Sequence, residues 1–179
     1  MAVVHPAELT PTKSEIAAAW LDAQPWGGSG EVEHLGGYRF DDPDGEVGVE
    51  GVIFSRGDLV AHLPMTYRGA PLEGAEDHLL TTMEHGVLGP RWVYHAIGDP
   101  VALDCFARAL LGGQEQATVE AHLADGTVEP RPLTVTVRQE GPVEVFGALQ
   151  FTGDLADPVS GTTTLVARWD GGEGVVAAV

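Results

Sequence analysis

Short segments in which apolar and polar residues alternate make up much of this sequence. A period of two residues is the pattern of a β-strand with one buried face. Residues 47–54 and 59–66 both show it, and residues 55–58 form a turn between them. The two segments predict an antiparallel hairpin with one buried face. Gly51 shifts the alternation within the first strand, which predicts a β-bulge there.

Two other segments have helical spacing. Thr12 and Glu15 form a capping box, in which each side chain bonds the backbone N–H of the other residue. Ile16 and Trp20 follow at helical intervals. We therefore predict a first helix that places Ile16 and Trp20 on the core and ends before Pro25.

The second helix is predicted from its first residues. Asp99 and Pro100 are a typical N-cap and first-turn residue. Within residues 101–111 only Asp104 and Arg108 are charged, and a spacing of four places them on one stripe. We expect a nearly buried helix that ends at the glycine pair after it.

The remaining residues predict further strands. Alternating runs occur at residues 119–123, 133–137, 143–151 and 165–169. Asp125-Gly126 predicts a hairpin turn after the first of these runs. The glycine-rich residues 171–174 predict a loose end, from which Val175 and Val176 return to the sheet.

The order of these elements predicts the fold class. Two helices among about seven or eight short strands in hairpin order indicate an α+β protein, with an antiparallel sheet packed on both helices. A chain of 179 residues suits one domain, so residues 1–179 are expected to form a single unit. Its loose ends are expected at residues 1–11 and 170–179.

The charge of the chain limits its partners. Twenty-seven acidic residues and nine basic ones give a net charge of -18. Nucleic acids and anionic membranes attract lysine and arginine, so neither is expected as a partner. The acidity is explained by solubility, and a specific cationic partner is the alternative. Cys105 is the single cysteine, and no apolar run approaches a membrane span, which favours the cytoplasm.

No motif for a known chemistry occurs in the sequence. Phosphoryl transfer needs a phosphate-binding loop and a strand lysine, but the single lysine, Lys13, opens the first predicted helix. The seven histidines form no metal-binding motif, and Cys105 lies on the apolar helix. We therefore expect no catalytic residue, metal or cofactor. Carboxylate pairs of the glycosidase type follow no spacing rule, so an unrecognised enzyme is an alternative.

One glycine-broken segment gathers the side chains that are typical of binding sites. Its candidate residues are Glu84, His85, Arg91, Trp92 and Tyr94. Carbohydrate sites and protein interfaces both use aromatic side chains beside planar polar groups. The alternative is that Trp92 and Tyr94 pack in the core while Arg91 pairs with a nearby acid. Tyr67 and Arg68 are a second candidate pair of the same kind.

Three segments also carry a family resemblance. They are Trp20-Leu21 with Trp26, then Leu63-Pro64-Met65-Thr66-Tyr67-Arg68, and then Glu84-His85…Leu88-Gly89…Arg91-Trp92-Val93-Tyr94…Asp99-Pro100. The first two resemble the opening of actinobacterial maltokinases. The third resembles stand-alone proteins with a maltokinase N-terminal cap-like domain. The resemblance extends from Glu15 to Leu111.

This resemblance implies a fold and a metabolic setting. It implies a cystatin-like cap, in which a curved antiparallel sheet wraps a helix, and a role in trehalose, maltose or α-glucan metabolism. It carries no active-site residues, because those kinases hold ATP and sugar mainly in other lobes. We expect a non-catalytic accessory domain that binds an enzyme of that metabolism. A module for a sugar or sugar phosphate near Arg91, Trp92 and Tyr94 is the alternative, and homodimerisation through a strand edge is also open.

Overall fold

The structure is a computed structural model that describes residues 2–4, 9–122, 127–143 and 147–179. The helices of this part are α1 (Lys13–Asp22) and α2 (Pro100–Leu110), with short 3-10 turns at Glu76–His78 and Ala96–Gly98. The strands before α2 are β1 (Ala2–Val4), β2 (Leu9–Thr10), β3 (Glu33–Phe40), β4 (Gly48–Arg56), β5 (Leu59–Arg68), β6 (Leu79–His85) and β7 (Gly89–His95). Those after it are β8 (Val119–His122), β9 (Val128–Arg131), β10 (Val135–Glu140), β11 (Gln150–Phe151), β12 (Thr164–Trp169) and β13 (Gly172–Ala178).

The described strands form three sheets. The largest is antiparallel and has six strands in the order β2-β6-β7-β5-β4-β3. A second, of four strands, has the order β10-β12-β13-β11, and the third joins β1, β8 and β9. The α+β class is thus confirmed. The strands divide among three sheets instead of forming the single sheet of seven or eight strands that the sequence predicts, and β1 pairs with β8 in parallel.

Helix α1 forms as its capping box predicts. The Thr12 backbone N–H donates to Glu15 Oε2 over 2.7 Å, and the Glu15 N–H donates to Thr12 Oγ1 over 3.3 Å. The helix ends at Asp22, before Pro25. Ile16 is buried against the six-stranded sheet, and Trp20 is partly buried beside it. The helix therefore closes one face of that sheet.

The predicted hairpin is formed by β4 and β5, but both of its faces are buried. Val52 and Phe54 pack toward α1, whereas Val49 and Ile53 pack toward α2 and the four-stranded sheet. The prediction of one buried face is therefore wrong. The polar side chains that alternate along β5, His62 and Thr66, are themselves buried and hydrogen-bonded, so the alternation does not mark a solvent-facing side.

The bulge predicted at Gly51 is also wrong. Pairing of β4 with β5 continues in register through Gly51, which lies opposite Pro64. A Cβ atom at Gly51 would lie 2.3 Å from Cζ of Tyr38, so the glycine makes room for that ring. The register of the sheet shifts in β3 instead, between His34 and Gly36.

Helix α2 joins the two larger sheets. The Asp99 carboxylate accepts from the Val101 N–H over 3.0 Å, which confirms the predicted cap. Asp104 and Arg108 form the expected ion pair on its exposed stripe. Phe106 lies in a cluster with side chains of both sheets, so α2 is sandwiched between them.

The C-terminal residues complete this core. The sequence predicts a loose end after residue 170, but residues 172–178 form β13, and Val176 is fully buried. The return of Val175 and Val176 to a sheet is confirmed. The turn predicted at Asp125-Gly126 lies outside the described residues. Neither helix of the described part has the length and apolar character needed to cross a lipid bilayer.

Candidate functional site

Register across β5, β7 and β6 divides the predicted site residues between two faces. Arg68 lies opposite Trp92, which in turn lies opposite Thr82. Residues paired across strands share a face, so this row belongs to one side of the sheet. Tyr67 pairs with Val93, and both belong to the other side. Because neighbouring residues on a strand point in opposite directions, Tyr67 and Arg68 cannot serve one site.

Trp92 and Tyr94 line a cleft of about 310 Å³. Its walls come from the end of β7, from the first residue of β6 and from the loop that connects β5 to β6. The lining residues are Pro71, Leu72, Glu73, Glu76, Leu79, Trp92 and Tyr94. Five of these are apolar or aromatic, and the two glutamates are exposed. The cleft therefore offers an apolar wall with an acidic rim.

Tyr94 builds the cleft but is not available to a ligand. Its side chain is only 2% exposed, and its hydroxyl oxygen accepts a hydrogen bond from the Leu72 N–H over 2.9 Å. That bond attaches the connecting loop to β7. Trp92, by contrast, is only partly buried, and so is the aromatic side chain of the cleft that a partner can reach.

Arg68, beside Trp92, is held by a buried carboxylate. Arg68 Nε and Nη2 donate to the two oxygens of Asp99 over 2.6 and 2.7 Å, and the Thr66 hydroxyl donates to Asp99 Oδ2 over 2.7 Å. Burial alone would raise the pKa of Asp99, but the bonds from Arg68, Thr66 and the Val101 N–H lower it. Asp99 thus ties β5 to the start of α2, and Arg68 is already neutralised within the fold.

Tyr67 belongs to a second buried cluster, on the α1 side. Glu50 accepts hydrogen bonds from Lys13 Nζ over 2.6 Å and from the Tyr67 hydroxyl over 2.8 Å, and Arg39 Nε lies 3.5 Å away. Burial would raise the pKa of Glu50, but Lys13, Arg39 and these bonds lower it to about 2. Burial raises the pKa of Tyr67. The single lysine of the chain therefore anchors α1 to the sheet.

The other predicted residues lie away from the cleft. Glu84 and His85 end β6, and Glu84 pairs with Pro90, four residues from Tyr94 and so about 13 Å along the strand. His85 Nδ1 accepts from the N–H groups of residues 87 and 88 and so shapes the turn.

Arg91 faces the opposite side of the sheet from Trp92. Its Nη1 donates to the Pro90 carbonyl, and it forms no ion pair among the described residues. The pairing of Arg91 with a nearby acid, the alternative that the sequence leaves open, stays a prediction, because it is not seen among the described residues. Register alone separates Arg91 from the aromatic residues with which the sequence groups it.

Sequence reasoning missed most of the cleft. Pro71, Leu72, Glu73 and Glu76 belong to a connecting segment with no alternation, and Leu79 stands in a short apolar pair with Leu80 that indicates no site. It also missed a buried contact in which His62 Nε2 lies 3.0 Å from the Tyr38 hydroxyl. His62 Nδ1 lies 3.1 Å from the Thr152 carbonyl, and burial lowers the pKa of His62 to about 3. That histidine is neutral and fully enclosed, so it supports the core.

Several acidic side chains are bonded within the fold. Within the described residues no three histidine, cysteine or acidic side chains converge as metal ligands. The buried carboxylates Glu50 and Asp99 are each bonded to basic side chains of the fold. Of the two cleft carboxylates, Glu76 accepts from its own backbone N–H and from that of Gly74, and these bonds lower its pKa.

Comparison with known proteins identifies one family. Residues 20–99, somewhat under half of the chain, match the family described as the maltokinase N-terminal cap domain. This confirms the resemblance predicted from the sequence. The matched segment contains the cleft, Arg68 and the Asp99 cap. No curated protein and no solved structure matches the chain significantly.

Proposed function

Because residues 20–99 match the N-terminal cap domain of maltokinase, we propose that this protein is a non-catalytic interaction domain. Its partner is an enzyme of trehalose, maltose or α-glucan metabolism, and it docks through the cleft beside β6 and β7. The matched domain is named as a cap and not as the catalytic part of the kinase. A cytoplasmic location is part of the proposal, since a single buried thiol suits a reducing compartment.

One contrast supports this proposal. Arg68, beside the cleft, is already bonded to Asp99 within the fold, whereas Trp92 and Leu79 remain accessible. Leu79 is 39% exposed although it is a large aliphatic side chain. Aromatic and aliphatic side chains in a partly open cleft are typical anchors of protein interfaces.

A binding experiment tests the proposal. We would immobilise the full chain and pass over it purified maltokinase, trehalose synthase-type enzymes and α-glucan-forming enzymes, one at a time. We expect one of them to bind, and the Trp92→Ala variant to bind it at least tenfold more weakly. Trp169→Ala, at a partly buried tryptophan of β12, is the matched control and should bind like the parent. Absence of binding to the whole panel would refute the proposal.

A second function is favoured by the row that Trp92 forms with Arg68 and Thr82. An aromatic face between a planar cation and a hydroxyl is an arrangement suited to a sugar. Thermal unfolding with maltose, trehalose and their phosphates tests this alternative. A ligand at 100 times its dissociation constant adds about 2.7 kcal/mol of stability. No shift with any of the four compounds would exclude it.

A further inference from the structure

We infer that the outer edge of β6 accepts an extended, positively charged segment of the partner as an additional antiparallel strand. This inference rests on the proposed function, because the edge adjoins the same cleft through Leu79. It specifies the kind of element that the partner presents. Strand addition draws affinity from main-chain hydrogen bonds and specificity from the side chains beside the edge.

The edge of β6 is only partly covered. Its inner side pairs with β7 from Leu79 to His85. On its outer side, the strand that pairs with it in the described part is β2, which meets only Glu84 and His85. The backbone of residues 79–83 therefore has no strand partner on that side, among the residues that the structure describes. Five residues are enough for a short antiparallel ladder.

The residues of β6 do not protect this edge. Proteins usually block an exposed edge with lysine, proline or a very short strand. β6 is seven residues long and contains neither lysine nor proline, and its one register shift against β7 lies at its first residues, between Leu79 and Thr81. Its side chains at Leu79, Thr82 and Glu84 are exposed. The strand is therefore competent to pair with another chain.

Charge complementarity selects a basic segment. Glu73, Glu76 and Asp77 are exposed just before the first residue of β6, and Glu84 is exposed near its last. The whole chain adds to this field, with a net charge of -18. Arginine or lysine side chains on an incoming strand would be attracted to both ends of the edge, and a long basic side chain could lie over the face of Trp92.

The same charges disfavour a second copy of this chain. A two-fold antiparallel pair of β6 strands would bring the Leu79 end of one copy to the His85 end of the other. Glu76 and Asp77 would then approach Glu84 of the other copy, and like charges across an interface oppose association. The segment that the edge accepts is therefore basic, and homodimerisation is an outcome that the test distinguishes.

The test uses three rhodamine-labelled peptides of ten residues and fluorescence anisotropy at 100 mM salt. In the first, arginine alternates with valine. In the second, glutamate replaces arginine. The third keeps the arginine sequence but carries N-methyl groups on alternate amides, so its charge is unchanged and one edge cannot donate hydrogen bonds. We expect the first peptide to bind at least tenfold more tightly than either of the others.

Two lysine variants locate the binding. Thr82→Lys adds a positive charge to the open edge, and Thr136→Lys adds the same charge at an exposed threonine of β10, an edge strand of the four-stranded sheet. We expect Thr82→Lys to weaken binding of the first peptide at least fivefold more than Thr136→Lys does. Thr82→Glu should bind at least as tightly as the parent, which shows that the position tolerates substitution. Hydrogen exchange should slow in residues 79–83 when the first peptide binds.

Three results would overturn the inference. If the two lysine variants weaken binding of the first peptide equally, charge alone attracts the peptide. The same follows if the methylated peptide binds as tightly as the first peptide. Concentration-dependent protection of residues 79–83 without peptide would mean that the edge pairs with a second copy. A third result is an enzyme that binds the parent, binds Trp92→Ala more weakly and binds Thr82→Lys as it binds the parent. The proposed function would then stand, and strand addition would fail. If the first peptide binds as expected but no enzyme of the panel binds, strand addition stands and the proposed function fails.

Discussion

The two edges of the six-stranded sheet are finished in different ways. At the β3 edge two neighbouring segments bond to the strand. Thr134 Oγ1, just before β10, accepts from the Gly37 N–H, and the Ala117 N–H, between α2 and β8, donates to the Arg39 carbonyl over 2.7 Å. At the opposite edge, β2 covers only the last two residues of β6. One edge is built into the core, and the other faces outward beside an apolar cleft.

The difference also shows in how the aromatic side chains are used. Tyr38 on β3 is fully buried and stacks on His62 with ring centroids 5.9 Å apart. Trp92 on β7 lines the cleft and is only partly buried. We call the β3 side of the sheet, where Tyr38 packs in the core, the structural half. We call the β6 and β7 side, which we propose as the docking site, the recognition half.

The largest effect is expected from removing an aromatic ring in the structural half. Tyr38→Ala should lower the free energy of unfolding by about 3–5 kcal/mol, because it deletes a fully buried ring. Trp92→Ala should cost about 1 kcal/mol or less, since that ring is partly solvated. Urea unfolding of both variants measures this. Equal losses would mean that the two halves do not differ.

The second largest effect is expected from acid, which should destabilise the structural half through Glu50. The pKa of Glu50 is about 2 in the fold and 4.5 without its environment, so its stabilisation is present above pH 4.5 and is lost as the pH falls toward 2. The loss is about 3 kcal/mol. Between pH 6.5 and 4.5 the loss comes instead from histidines with lowered pKa, above all His62, because the unfolded chain takes up their protons first.

Urea unfolding at pH 7, 5 and 3 measures this dependence. In Glu50→Gln the free energy of unfolding should fall less steeply with pH below 4.5 than it does in the parent. If Glu50→Gln keeps the pH dependence of the parent below pH 4.5, other carboxylates control the loss of stability in acid.

Replacing a glycine by alanine should have a smaller effect on the free energy of unfolding, and this effect should again differ between the two halves. Gly51→Ala should destabilise the protein by about 1–3 kcal/mol, because its Cβ would collide with the Tyr38 ring. Gly69→Ala, at the end of β5 on the recognition side, has its nearest neighbour at 3.6 Å, Nη1 of Arg91. It should change stability by less than about 0.5 kcal/mol. A tolerated alanine at residue 51 would argue for the bulge that the sequence suggests.

The smallest effect on stability should come from the open edge itself. Leu79→Ser removes an exposed aliphatic side chain and should change the free energy of unfolding by less than about 0.5 kcal/mol. The same substitution should weaken binding of the partner enzyme severalfold, because Leu79 lines the cleft. A large loss of stability would show that Leu79 belongs to the core.

Local signals in the sequence were sufficient for several elements. The capping box at Thr12 and the cap at Asp99 depend on residues three or fewer positions apart, and both are present. The strands of the hairpin follow from alternation. What failed depends on distant partners: Gly51 is explained by Tyr38 on another strand, and burial of both hairpin faces requires the C-terminal sheet.

The candidate site was predicted in part. Trp92 and Tyr94 do line a cleft, but a stretch of sequence does not reveal which neighbours share a face. Arg68, far along the chain, joins Trp92 across the strands, whereas adjacent Arg91 points away. Whether these residues bind a partner stays a prediction.

Hydrogen exchange of the full chain, alone and with an enzyme of the panel, measures the division of the sheet most directly. We predict slower exchange in residues 71–83 and 89–94 of the complex, with β3 and β10 unchanged. Protection confined to β3, β10 or α2, or no change with any enzyme, would contradict it.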